Sequence, residues 1–201
     1  MFFSFHTRPV MTSPQGNLFA PAPAATHKLF FALFPDDAEC ERIGSLATAL
    51  HSAYPGARWI RPDRYHLTLH YLGESDQRRD DQVRDAIQAV QMLPAAEPFA
   101  ITLDHLRALG SPRRPALTLA ASHVSPAMEA FWQALQERLI RAGFHRHIGR
   151  TFIPHLTLAY VDPEPALGQV GSITLRPTEF RLIHSIQGQP DYEVLGRWPI
   201  M

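Results

Sequence analysis

An α+β fold built from two related lobes is what the sequence predicts, on three observations. Short apolar runs of strand length are interleaved with stretches whose apolar residues recur every three or four positions. Strands and helices alternate irregularly, in two groups that look alike. The tetrapeptide His66-Leu67-Thr68-Leu69 returns unchanged as His155-Leu156-Thr157-Leu158, 89 positions later (155 − 66). A period that long suits duplicated lobes better than a solenoid.

In chain order, residues 1–26 are a separate tract holding Pro9, Pro14, Pro21 and Pro23 and the small-residue run Ala22 to Ala25. So little apolar surface predicts a flexible Pro/Ala-rich extension, leaving residues 27–201 as one bilobal domain. Leu29 to Phe34 is a strand-length apolar run ended by Pro35. Asp36 is placed to cap a helix with apolar positions at Cys40, Ile43, Leu46, Ala47, Leu50 and Tyr54. Val83, Ala86, Ile87 and Val90 set a second helix that stops before Pro94. Ser125 and Pro126 start a third, carrying Met128, Phe131, Trp132, Leu135, Leu139 and Ala142 and ended by Gly143. Further strands are predicted over 58–61, 65–71, 98–105, 115–121, 155–161, 179–186 and 192–198.

Composition excludes several functions. Across 201 residues, 45% hydrophobic and 19% charged composition is ordinary for a protein with a core, and unlike a disordered chain. Nineteen basic residues balance nineteen acidic ones, so a general nucleic-acid coat is excluded while a local basic groove is not. Cys40 is the only cysteine, which rules out an intramolecular disulfide and a thiolate zinc site. No run approaches the roughly 20 apolar residues of a membrane span. Met1 to Phe5 is apolar but is broken by His6, Arg8 and Pro9, unlike a signal peptide. We expect a cytoplasmic monomer with no membrane partner.

The repeat carries the chemistry. On an ideal strand His66 and Thr68 share one face while Leu67, Leu69 and Tyr71 share the other. The second copy puts His155 and Thr157 opposite Leu156, Leu158 and Tyr160. The leucine faces supply core, so two imidazoles and two hydroxyls can converge on one cleft if the lobes meet. One neutral histidine can accept a proton while a protonated one donates it, as in-line attack at phosphorus requires. Two threonine hydroxyls can bind the non-bridging oxygens where transition-state charge gathers. No metal or other cofactor is needed, because a proton neutralises the leaving oxygen.

With these residues the sequence resembles the bacterial RNA 2′,3′-cyclic phosphodiesterases, also called 2′-5′ RNA ligases, of the two-histidine phosphoesterases. The likeness runs from Lys28 to Met201, through Leu29–Leu33, Arg58–Pro62, His66–Glu74, Gly143-Phe144, Arg150–Leu158, Phe180–Leu182 and Ser185 to Leu195. It implies two pseudo-twofold-related lobes of antiparallel sheet with outer helices around a central cleft. It also implies hydrolysis of a 2′,3′-cyclic phosphate, on an RNA end or a nucleotide, to a 2′-phosphomonoester. By that likeness His66 is the acid at the 3′ oxygen and His155 the base on water. Thr68, Thr157 and Arg150 would bind the phosphate. Reversible 2′-5′ joining of RNA ends in the same cleft, or a non-catalytic module that binds RNA ends or nucleotides, are the alternatives.

Some residues depart from that pattern or invite other readings. His70 stands where a small residue is usual, and alternation puts it with His66 and Thr68 at the cleft rim. The tract from Ser185 to Tyr192, with Gly188 and Pro190, is shorter than usual. His145, His147 and His155 invite a metal assignment, but acidic neighbours are missing, and none is expected. Trp59, Trp132 and Trp198 are expected in the core. Arg58, Arg61, Arg64, Arg146 and Arg150 cluster around the motifs in sequence, which predicts a locally positive cleft. No glycine pattern for a nucleotide cofactor or triphosphate is present.

Overall fold

The computed structural model describes residues 25–91, 93–94, 96–149, 151–163, 165 and 167–200. Most of the expected extension, residues 1–24, lies outside the described residues, as does Arg150. The elements run β1 (His27–Leu33), α1 (Asp37–Leu50), β2 (Arg58–Trp59), β3 (Leu67–Ser75), α2 (Asp80–Gln91), β4 (Ile101–Leu109) and β5 (Ala116–Ala120). They continue with α3 (Pro126–Arg141), β6 (His155–Tyr160), β7 (Gly168–Leu175), β8 (Glu179–Ile186) and β9 (Tyr192–Pro199). Among the described residues no helix is long and apolar enough to cross a membrane.

Local chemistry explains most element ends. Asp36 accepts a hydrogen bond from the Glu39 amide at 2.7 Å, and Glu39 accepts one from the Asp36 amide at 2.9 Å. Glu39 is buried because its second carboxylate oxygen accepts from the Arg176 amide at 2.8 Å, tying α1 to the end of β7. The first helix ends at Leu50, short of the predicted Tyr54, because a 3₁₀ turn over His51–Ala53 follows. Ser125 caps α3 as predicted, and Gly143 takes φ +94° just beyond its end. Strand β7 is absent from the sequence-based expectation. Its Gly168-Gln169-Val170-Gly171-Ser172 start carries no apolar alternation, and it is a strand because β4 offers it an open edge.

All strand pairs are antiparallel, in the order β7-β4-β5-β6-β3-β1-β8-β9, with β2 on β6. Strands β6, β5, β4 and β7 form one half and β3, β1, β8 and β9 the other. The halves meet where Leu67 pairs with Leu156, between the two copies of the repeat. All three helices pack on one side, where Ile43, Val83, Phe131 and Leu135 join Leu67, Leu69, Leu156 and Leu158 in the main core. The other side carries only a small cluster of Phe30, Ala32 and Ile183, with Phe34, Tyr71 and Tyr192 packed against it.

Both copies carry a β-bulge at the same place. In β3, Thr68 pairs with Ala32 and His70 with the adjacent Phe31, so Leu69 has no partner. In β6, Thr157 pairs with Thr118 and Ala159 with the adjacent Leu117, so Leu158 has no partner on β5. One extra residue reverses the alternation beyond it. Tyr71 and Tyr160, expected on the leucine face, therefore face the cleft with the histidines and threonines. His70, expected at the cleft rim, is carried to the helix side and is 3% exposed. Its ring stacks on Trp132 at 4.9 Å, and its Nε2–H donates to the Trp132 carbonyl at 3.1 Å. The Trp132 indole N–H in turn donates to the carbonyl of the bulged Leu69 at 2.9 Å.

Burial pushes the His70 pKa down from 6.5 to about 4. An unfolded chain binds this proton below about pH 6.5 and the folded one does not, so stability falls as pH drops from about 6.5 towards 4. The contribution is up to roughly 3 kcal/mol. Thermal unfolding of wild type should lose stability over this window, and His70→Phe should flatten the slope. A slope unchanged in the variant would assign it elsewhere.

Candidate functional site

Each histidine is held by the backbone just ahead of it. The chain enters the first copy through a 3₁₀ turn at Pro62–Arg64 and the second through Pro154. In both, the imidazole Nδ1–H donates to the carbonyl two residues back: His66 to Arg64 at 2.9 Å, His155 to Ile153 at 2.7 Å. Each ring therefore keeps Nε2 free as its acceptor. His66 sits one residue before β3, later than predicted, and His155 opens β6. Antiparallel pairing of Leu67 with Leu156 sets His66 across from Thr157 and Thr68 across from His155. Each histidine faces the threonine of the other copy.

A cleft of about 750 Å³ opens over this seam, with His66, Thr68, Thr157, Tyr71 and Tyr160 in its floor. His155 borders an adjoining recess of about 320 Å³ that shares Thr68 and Tyr71 with the cleft. Lys28, Arg58, Arg61 and Arg64 line the larger space. Arg58 lies over the Tyr160 ring at 4.8 Å and Arg64 over Tyr192 at 4.0 Å. Arg61 is paired with Asp63 and stands 3.7 Å from Asp191. Arg146 lines neither space. The short tract after Ser185 is a hairpin whose Gln187, Gly188 and Pro190 wall the cleft, and Arg64 donates to its Gln189 carbonyl at 3.0 Å.

Identical tetrapeptides end in unlike surroundings. Phe30 and Phe34 pack against the His66 ring at 5.2 and 6.0 Å, and Tyr192 meets it edge-on at 5.4 Å. The Tyr192 hydroxyl lies 3.3 Å from Nδ1. Burial in this cage, with smaller contributions from the charges of Arg64 and His155, lowers the His66 pKa from 6.5 to about 4. The ring is neutral in the free protein at neutral pH.

Of the expected residues, His66, Thr68, His155 and Thr157 come together, and the place of Arg150 lies outside the described residues. Trp132 is buried in the core as expected, and Trp198, half-buried, packs against it. Trp59 packs on His51 at 4.4 Å and also lines the cleft, because β2 lies along the exposed end of β6. Sequence reasoning missed Tyr71 and Tyr160 as cleft residues, although each stands five positions after its histidine. That equal, odd spacing was the signal, since only a bulge in both copies brings an odd offset to one face. Phe34 and Tyr192 left no such mark. Among the described residues no three His, Cys, Asp or Glu side chains gather as a metal site.

The cage has a direct readout. By NMR, the His66 ring should titrate near pH 4, and Phe34→Ser, which admits water, should move the midpoint up towards 6.5. An unshifted midpoint would mean that Phe34 does not contribute to the low value.

Comparison with known proteins agrees with this architecture. A model of the 2′-5′ RNA ligase superfamily matches residues 35–184. An Archaeoglobus fulgidus protein named RNA 2′,3′-cyclic phosphodiesterase is 25% identical over 142 residues, covering 69% of this chain and 77% of its own. Proteins of the same name from Bacillus subtilis and Geobacillus stearothermophilus are each 24% identical, over 51% and 86% of this chain. The chain spans only 54% and 57% of their respective lengths. Among solved structures, Escherichia coli LigT in its apo form superposes with a TM-score of 0.68 at 24% identity, over 87% of this chain and 98% of that one. The Thermus thermophilus protein TT0787 gives 0.68 at 21% identity, over 86% and 97%. These structures share the fold, and the family match over residues 35–184 places the chain in the 2′-5′ RNA ligase superfamily.

Proposed function

We propose that this protein is a metal-independent phosphodiesterase that opens 2′,3′-cyclic phosphates, on RNA ends or nucleotides, to 2′-phosphomonoesters. The observation that carries this reading is the meeting of the two histidine–threonine pairs across the Leu67–Leu156 seam, with both imidazoles presenting Nε2. The names of the three relatives support the substrate class.

In this reading water attacks phosphorus and gives its proton to His155 Nε2. The bond from phosphorus to the 3′ oxygen breaks, and His66 Nε2 supplies the proton that oxygen takes. Thr68 and Thr157 donate to the non-bridging oxygens. The 2′ ester remains, and the pair returns to its starting state by exchanging protons with solvent. His66 is neutral before substrate enters, so it must take up a proton to act as the acid. The negative charge of the bound diester favours that uptake against the cost of burial. Arg58, Arg64 and Lys28 give the cleft the positive character that an RNA end requires despite zero net charge.

The test is hydrolysis of a 2′,3′-cyclic mononucleotide in excess chelator, with 2′- and 3′-phosphate resolved. The expected product is the 2′-phosphate, and His66→Ala or His155→Ala should each lower kcat by about 10²–10⁴-fold. Unimpaired turnover in either variant removes that histidine from the mechanism. The kcat/KM profile should be bell-shaped, with one limb near pH 4 from His66 in the free protein. A limb that Phe34→Ser leaves in place would not belong to His66.

A further inference from the structure

Identical tetrapeptides leave one histidine caged and the other beside a recess, and the repeat itself does not explain the difference. We infer that Arg64 is a positioning residue for His66: its guanidinium straps the hairpin between β8 and β9, and with it Tyr192, over the imidazole. The inference rests on the phosphodiesterase reading for what His66 does, and on geometry for how His66 is held.

Arg64 reaches the imidazole by two routes. Its carbonyl accepts from His66 Nδ1 at 2.9 Å, which sets the direction of the ring. Its side chain donates to the Gln189 carbonyl at 3.0 Å and to the Pro190 carbonyl, and lies over the Tyr192 ring at 4.0 Å. Tyr192 in turn meets the His66 ring edge-on at 5.4 Å, with its hydroxyl 3.3 Å from the same Nδ1. A closed circuit of contacts leaves His66 through the Arg64 backbone and returns through the Arg64 side chain and Tyr192.

Among the described residues, one other polar tie joins this hairpin to residues 58–64. Arg61 stands 3.7 Å from Asp191, with both side chains largely in solvent, where an ion pair contributes little. Residues 187–191 are exposed, and Gly188 takes φ +88° at the turn. Behind the hairpin, Glu193 is fixed, since it accepts from His184 Nδ1 at 2.7 Å and from Arg78 at 2.9 Å. Strand β9 is anchored from Glu193 onward, and the hairpin and the Tyr192 ring before it depend on Arg64.

The second copy lacks this strap. Two residues before His155 stands Ile153, whose carbonyl accepts from His155 Nδ1 as that of Arg64 does from His66. The Ile153 side chain is apolar and 38% exposed, so it has nothing to offer a neighbouring carbonyl. The backbone contact is common to both copies, and the side-chain contact belongs to one.

Facing the His66 ring are Arg64 from its own turn, His155 from β6 and Tyr192 from β9, together with the apolar Phe30 and Phe34. Arg64 therefore has a second way to act, because its charge opposes a proton on His66. Lysine separates the two. It keeps the charge but has neither the planar fork for two carbonyls nor a flat face for the Tyr192 ring.

The experiment is NMR titration of His66 in the full chain, for wild type, Arg64→Lys and Arg64→Met, with hydrolysis of a 2′,3′-cyclic mononucleotide followed on the same proteins. Arg64 is half-buried in a 3₁₀ turn, and replacing it removes no core side chain. Both variants should move the His66 midpoint up from near pH 4 towards 6.5, and the matching limb of kcat/KM should move with it. At the pH optimum kcat should fall about tenfold, as a less firmly directed acid implies. Arg58→Lys, which disturbs the contact over Tyr160 outside the cage, should leave the midpoint in place. A wild-type midpoint or a wild-type kcat in Arg64→Lys overturns the inference; a shift in Arg64→Met alone would reduce Arg64 to its charge. An equal rise in Arg58→Lys overturns it too, because the effect would then not be specific to the strap. If wild type does not hydrolyse the substrate, the phosphodiesterase reading falls, and the midpoints still decide whether Arg64 holds the cage.

Discussion

The pairing of Leu67 with Leu156 is the contact on which the remaining structure depends. Each leucine is fully buried in the main core, so the hydrophobic effect holds the two halves of the sheet together where the repeats meet. The residues on either side of each leucine, a histidine and a threonine, are then brought across from those of the other copy. Tying the polar residues to the least exposed leucines gives the site little freedom to drift. The bulges at Leu69 and Leu158 extend this control, since they return Tyr71 and Tyr160 to the cleft without taking leucine from the core. The Leu69 carbonyl is not left unsatisfied, because Trp132 of α3 donates to it.

The two copies of the repeat are matching parts set in unequal surroundings. Both imidazoles use the same carbonyl two residues back, so tautomer and ring direction belong to the repeat itself. What differs is the packing: Phe30, Phe34 and Tyr192 enclose His66, while His155 stands at a recess. Burial holds His66 neutral in the free protein, so its use as the acid depends on the charge of the bound diester, which favours the proton that desolvation opposes. The walls differ too: among the described residues Lys28, Arg58, Arg61 and Arg64 line the larger cleft, and Trp132, Phe152 and Tyr71 line the recess.

The sequence by itself determined the α+β class, the helix starts at Asp36 and Ser125, most strands, and the four polar residues of the repeat. These are consequences of local chemistry: capping side chains, apolar periodicity, and a tetrapeptide too specific to be repeated by packing alone. Only the tertiary structure decided the rest. Strand β7 exists because a neighbour's edge is open, whatever its own pattern. His70 left the cleft and the two tyrosines entered it because a bulge depends on pairing between strands, and alternation along one strand cannot register it. The aromatic cage draws Phe30 and Phe34 from one end of the chain and Tyr192 from the other. No local rule connects residues so far apart in sequence; their proximity follows from the order of strands in the sheet.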